Sequence, residues 1–261
     1  MLHLSAIILT YNEADHVRDC IESVRFADHI IVFDSGSTDG TDSLARATGA
    51  TVVTHPFVNY AAQRNAVLDH VSGQTDWVLF VDADERVTPA LAQEIRASIS
   101  SLEYAGFRIP RHNYIFGRLT LGAGWFPDYQ TRLLHASRAR YDLAHEVHEI
   151  VILDGQEGTL RSPLVHHNYR SLSQFIAKQR RYAALDAQMA LKRSFRPTFR
   201  QVLTLPLRQF WWRFITLRGC DDGLHGLRMS LLMTWYEFYR LLLIRRLWNA
   251  QRADTPNGIS R

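Results

Sequence analysis

Two aspartates one residue apart, Asp82 and Asp84, close the stretch WVLFVDADER (77–86), with Glu85 directly after them. A sheet strand gains by burying Val and Leu and loses by burying carboxylates. The acids therefore sit at the strand's exit into solvent or around something positive. Two carboxylates at i and i+2 on a turning backbone can share a hard divalent cation. Mg²⁺ and Mn²⁺ take such oxygens and keep positions open for substrate phosphates. The plainer reading is a solvated strand end followed by an acidic helical turn. A second segment, DSGSTDGT (34–41), places Asp34 at a strand end, Gly36 and Gly40 in a tight turn, and small hydroxyls near a helix start. Such a turn can hold a base and ribose, with Asp34 accepting from base N–H groups. The plainer reading here is a turn with Asp39 or Thr41 as helix cap. The segment is neither a GxGxxG fingerprint nor a P-loop.

These residues need a scaffold that brings them together, and the first hundred residues alternate in the required way. Apolar runs at 4–10, 29–34, 51–54 and 77–82 are separated by helical spacing at 13–26, 41–49 and 60–71, and Pro89 opens a further helix. Continuous apolar strands alternating with helices predict an α/β fold with a mostly parallel sheet, covered by helices on both faces. In open sheets of this kind ligands bind beyond the carboxyl ends of the strands. The strand exits are Thr10-Tyr11-Asn12-Glu13, Asp34 to Thr41, and Asp82-Ala83-Asp84, so all three polar clusters are expected on one edge. Residues 101–165 read as short strands and loops, with His166 and His167 as a strand end carrying one inward histidine. From 171 onward the pattern is helical and amphipathic.

The net charge of +4 over 261 residues conceals a division. Residues 1–169 hold 13 Lys+Arg against 21 Asp+Glu, a net −8, and residues 170–261 hold 17 against 5, a net +12. We expect a first domain over 1–169 and a helical, basic and aromatic extension over 170–261. Arginines interleaved with Trp211, Trp212 and Phe210 favour an anionic membrane surface as partner over nucleic acid. The apolar stretches there are interrupted by Arg208, Arg213, Glu237 and Arg240, which argues against a span. Two distant cysteines give no disulfide framework, and the N-terminus reads as a first strand instead of a signal peptide, so a reducing, cytoplasmic setting is expected.

The ordered segments ILTYNEADHV, VFDSGSTDGT, AAQRNAV and FVDADE resemble the N-terminal half of the family 2 glycosyltransferases with their GT-A fold. The later GWFPDYQTRLL, VHE and RGCDDGLHGLRMSLLMTWYEFYRL are similar to the lipopolysaccharide-core glucosyltransferases of the WaaE/KdtX type. The resemblance implies a UDP-sugar donor, Mg²⁺ or Mn²⁺, inversion at the anomeric carbon, and a lipid-linked or lipopolysaccharide-core glycan as acceptor. It also implies a cytoplasmic enzyme, peripheral on the inner face of the cytoplasmic membrane. Carried over by position, Thr10, Asn12 and Glu13 line the nucleotide site and Asp34 meets the base. Arg64 and Asn65 approach the uridine and diphosphate, Asp82 touches ribose or metal, and Asp84 binds the metal. Asp34-Ser35 stands where many relatives have two aspartates, so the resemblance supplies one base contact here and not two.

Inversion in one displacement needs a base on the sugar face opposite the diphosphate. AHEVHE (144–149) supplies two His-Glu pairs, and histidines three apart do not make the HExxH zinc pattern. The family's VHE falls on Val147-His148-Glu149, which makes Glu149 the expected base and His148 an orienting group; Glu146 and Asp128 are the alternatives. Two rival readings are a metal-dependent phosphohydrolase and a catalytically inactive, donor-binding membrane scaffold. The first lacks support, because Arg86 stands where a Thr or Val is needed and the only lysines are Lys178 and Lys192.

Overall fold

The computed structural model describes residues 2–101, 103–144 and 150–253. The chain runs β1 (Leu4–Thr10), α1 (Val17–Ser23), β2 (His29–Asp34), α2 (Thr41–Ala47), β3 (Thr51–Thr54), α3 (Tyr60–His70) and β4 (Trp77–Asp82). It continues with β5 (Glu85–Val87), α4 (Pro89–Ser98), β6 (Tyr104–Ile115), β7 (Arg118–Thr120), β8 (Tyr129–His135) and β9 (Ala139–Tyr141). The last elements are β10 (Val151–Leu153), β11 (Gln156–Thr159), β12 (Leu164–Tyr169), α5 (Leu172–Lys192), α6 (Phe199–Trp211) and α7 (Gly223–Ala253). This is a mixed α/β architecture with flanking helices, as the sequence predicts.

Strands β3, β2, β1 and β4 are parallel, and the sheet path continues through β8, β6, β12 and β5; β4–β8, β8–β6 and β12–β5 pair antiparallel, and β11 joins β6 in parallel. Alternation along β1 explains why the parallel part is buried on both sides. Leu4, Ala6 and Ile8 pack with Val17, Cys20 and Ile21 of α1 and with Leu91 and Ile95 of α4. Ile7 points the other way, among Val67 and Leu68 of α3 and Phe80 of β4. Each Leu, Ile, Val or Phe among these contributes about 1.5–3 kcal/mol on leaving water. Helix α4 starts where Pro89 predicts, with the Thr88 hydroxyl accepting from the Leu91 N–H at 3.1 Å. Helix α1 is shorter than the 13–26 periodicity suggests. The backbone before it is tied to the neighbouring turn: the Glu13 N–H donates to Thr41 Oγ1 at 2.8 Å and the Ala14 N–H to Asp39 Oδ2 at 3.0 Å.

Two compact units emerge, Met1–His112 with Pro127–His167, and Asn113–Phe126 with Asn168–Arg261. The sequence reading divides the chain once, at 169/170, whereas the second unit also takes in residues 113–126. The physical reason is a small core of its own, in which Ile115 and Ala123 are buried with Tyr169, Phe175, Met229 and Met233. Within that unit α5 and α6 both pack on α7, and α6 runs into a π-helical turn over Trp212–Thr216.

Candidate active site

Registers place the expected residues in a row. Thr10 lies opposite Asp34 across β1 and β2, and Leu9 lies opposite Asp82 across β1 and β4. All three strands are parallel, so Thr10, Asp34 and Asp82 end at the same edge of the sheet.

The first two exits interlock. Asp34 is 2% exposed and is surrounded by donors: Thr10 Oγ1 at 2.8 Å, the Gly36 and Ser37 N–H groups at 3.0 and 2.8 Å, and the Ser37 hydroxyl at 2.5 Å. Four donors match the acceptor capacity of a carboxylate, so Asp34 builds the turn. Gly36 and Gly40 stand at φ 86° and 89°, the left-handed region that glycine enters without penalty. Asn12, at φ 56°, accepts the Thr38 N–H at 2.8 Å and donates its own N–H to Ser37 Oγ at 2.8 Å. Asp39 accepts from the Thr41 N–H and hydroxyl at 3.1 and 2.5 Å. The β1 and β2 exits thus form one rigid rim, with Tyr11 63% exposed beside it.

The DxD exit has a different construction. Asp82 belongs to a cluster of three acids and three guanidiniums. Arg132 grips both oxygens of Asp82, Arg64 reaches Asp82 Oδ1 at 3.5 Å, and Glu85 Oε1 lies 3.3 Å from Arg111 and 3.4 Å from Arg132. Arg111 also pairs with Asp128 Oδ2 at 2.7 Å, and the second Asp128 oxygen accepts from Gln130 at 3.0 Å. Burial disfavours the charge on Asp82, but Arg132, Arg64 and Arg111 outweigh it and hold its carboxyl well below the usual range. Glu85, fully buried, is pushed upward chiefly by burial, and Asp82 adds to this against the pull of Arg132 and Arg111. Its Oε2 accepts the Asp82 N–H at 2.9 Å, so Glu85 sets the backbone from which the pair projects. The expected acidic helical turn after Asp84 is instead the strand β5.

Asp84 lies outside this cluster. Its Oδ2 stands 3.4 Å from His166 Nε2, and its carbonyl accepts the His167 N–H at 2.9 Å. His166 arrives there because β12 pairs antiparallel with β5, His166 opposite Glu85. A carboxylate and an imidazole side by side suit a divalent cation that completes its shell with phosphate and water oxygens. Among the described residues no three His, Cys, Asp or Glu side chains gather into a group that could hold a metal ion by themselves.

The QRN stretch divides its tasks differently from the sequence expectation. Arg64 is buried over the rings of Phe80 and Tyr141, with its guanidinium carbon 4.9 and 5.7 Å from their centroids. Asn65 is turned away from the rim: its amide binds the Tyr141 backbone carbonyl and N–H, both at 2.9 Å, and so ties α3 to β9. Gln63, which the sequence reading passed over, is the residue of this helix that reaches the β2 exit. It donates to Ser35 Oγ at 3.2 Å and meets His55 Nδ1 at 3.0 Å. Glu146, His148 and Glu149 lie outside the described residues.

Residues 5–148 match the family model described as glycosyl transferase family 2. The lipopolysaccharide core biosynthesis glycosyltransferase LpsC of Rhizobium meliloti is 31% identical over 91% of this chain and 90% of its own length. A glycosyltransferase of Rickettsia bellii is 29% identical over 94% of this chain and 86% of its own. Among solved structures, S. aureus TarS 1–349 aligns with 99% of this chain and 94% of its own at 16% identity and a TM-score of 0.46.

Proposed function

Because the chain belongs to glycosyl transferase family 2, we propose that it moves a sugar, most simply glucose, from a UDP-sugar to a hydroxyl of a lipopolysaccharide inner-core glycan, with inversion. The observation that carries this reading is the common edge shared by Thr10, Asp34 and Asp82, with Asp84 and His166 beside it. Thr10, Asn12 and Glu13 line the nucleotide, Asp34 holds the turn that receives the base, and Asp82 meets the ribose from its pairing with Arg132. Asp84 and His166 would hold Mg²⁺ or Mn²⁺, whose positive charge offsets that developing on the diphosphate.

The acceptor oxygen bonds to the anomeric carbon as the bond from that carbon to the diphosphate oxygen breaks. The electron pair leaves with UDP, and the acceptor's hydroxyl proton passes to Glu149. His148 orients the acceptor or the diphosphate. Asp128 is engaged by Arg111 and Gln130, which supports Glu149 as base and gives Asp128 a positioning role. The acceptor is lipid-borne, so the protein works in the cytoplasm at the inner face of the membrane. Residues 1–169 supply the donor chemistry and the +12 of residues 170–261 the attraction to anionic lipid. No described helix is long and apolar enough to cross a bilayer.

Calorimetry and transfer assays test the reading together. The protein takes up a UDP-sugar with Mn²⁺, and Glu149→Gln keeps that uptake while abolishing transfer. Substantial turnover by E149Q rejects the base, and the absence of any UDP-sugar uptake rejects the function.

A further inference from the structure

Between Asp186 and Asp221 the chain carries seven Lys and Arg and not one Asp or Glu. The same span holds α6, whose apolar residues divide into two sets. Val202 and Pro206 are buried against the rest of the unit. Phe199, Leu203, Leu207 and Trp211 point outward at 67, 50, 69 and 63% exposure. A spacing of four advances each by about 40° around the helix, so the four cover an arc of about 120°. The π turn that follows closes i→i+5 and turns each residue through a smaller angle. It reverses that drift and carries the exposed Ile215 back toward the stripe.

Arg196, Arg200 and Arg208 are exposed on the same segment, whereas Arg218 is paired with Asp221, Nη2 to Oδ2 at 2.6 Å. Arg213 differs from the sequence expectation of a surface cation: it is drawn inward, its Nη1 donating to the Ala123 carbonyl at 2.5 Å, and burial lowers its pKa. The segment therefore has an apolar ridge ending in tryptophan and the exposed arginines Arg196, Arg200 and Arg208, with no Asp or Glu between Asp186 and Asp221. A protein partner or a second copy would have to bring its own acids; this stretch has none to offer in return. A bilayer rich in anionic headgroups meets both demands at once, with acyl chains for the ridge and phosphates for the guanidiniums.

We propose that α6 and its π turn form an in-plane membrane-docking helix, with Phe199, Leu203, Leu207, Trp211 and Ile215 in the acyl boundary and Arg196, Arg200 and Arg208 on lipid phosphates. This deepens the peripheral attachment proposed above and rests on it. The test uses the full chain with phosphatidylglycerol-containing vesicles and with pure phosphatidylcholine vesicles. Wild type sediments with the anionic vesicles, less strongly at high salt, and Trp fluorescence is quenched by brominated lipid. The double variant Leu203→Glu, Leu207→Glu loses about tenfold or more in partitioning, at unchanged melting temperature and UDP-sugar affinity, because both positions are solvent-facing. R200Q/R208Q weakens binding to anionic vesicles alone, and Trp211→Phe removes part of the quenching.

Unchanged partitioning of L203E/L207E overturns the docking helix while leaving peripheral attachment intact. A wild type that binds no vesicle overturns both, with UDP-sugar uptake still testing the transferase separately. A concentration-dependent dimer that L203E/L207E dissolves, without vesicle binding, assigns the ridge to a second copy and overturns the proposal.

Discussion

In the first unit Asp82, Glu85 and Asp128 meet Arg64, Arg111 and Arg132, and each acid lies within 3.5 Å of a guanidinium. In the second unit Arg196, Arg200 and Arg208 lie at the surface beside exposed Leu and Trp, with no acid between Asp186 and Asp221. The units carry opposite net charge, but the deeper difference is where compensation comes from. Charge inside the first unit must be matched by other residues of the chain, since an unpaired buried ion is too costly to keep. The second unit also pairs Arg240 with Glu237 and Arg218 with Asp221, but Arg196, Arg200 and Arg208 stand on a segment without acids, and the docking proposed above would match them, and the apolar ridge, from outside the chain.

Removing the one acid of the DxD pair that stands outside the ionic cluster separates the two tasks most sharply. Asp84→Asn is expected to lower transfer by about 10³-fold, the several kcal/mol a Lewis acid supplies, and to abolish Mn²⁺ stimulation. Vesicle binding should not change. Loss of vesicle binding in the same variant would show that the two tasks are not separable in this way.

Arg132→Met strikes the internal pairing. It leaves Asp82 and Glu85 short of a partner and should cost about 3–5 kcal/mol, a fall in Tm of about 10 °C. Adding Glu85→Gln should restore part of that loss by removing one uncompensated acid. If thermal unfolding gave R132M the wild-type Tm, the matched cluster would not be what stabilises the DxD exit.

The smallest expected effect concerns an ion pair nearer the surface. Hydrogen bonds from Arg96 lower the Asp28 pKa to about 2, against the opposing effect of burial. A carboxylate depressed in the folded state stabilises above its unfolded value, near 3.9, and that contribution disappears as pH falls from there through about 2. Denaturant midpoints of wild type and Asp28→Asn should therefore differ modestly at pH 7 and converge near pH 2. A gap that stays constant in acid would assign the effect to packing.

Much of the first unit was legible because its signals are local. Continuous apolar runs, a Pro at a helix start and Gly at left-handed turns announce β1 to β4 and α2 to α4 within a few residues. The common edge of Thr10, Asp34 and Asp82 also followed, since parallel strands exit on one side. His166 could not be assigned this way. It meets Asp84 only because β12 pairs with β5, some 80 residues apart in sequence. The same holds for Arg111 and Arg132, which look like ordinary strand residues until β6 and β8 are laid beside β4. Gln63 and Asn65 show the limit within a single motif: helix rotation alone decides which amide reaches the β2 exit and which ties down β9.

By itself the sequence determined the alternation of elements, the family and the acids that close the parallel strands, because hydrophobic period and turn chemistry are properties of neighbours along the chain. Tertiary structure decided how those acids are engaged, since Asp82 is claimed by Arg132 and Asp84 faces His166. It likewise decided which aromatic residues of the basic region face outward. Pairing of charges and exposure of apolar faces depend on distances between segments far apart in the chain, and folding alone sets those distances.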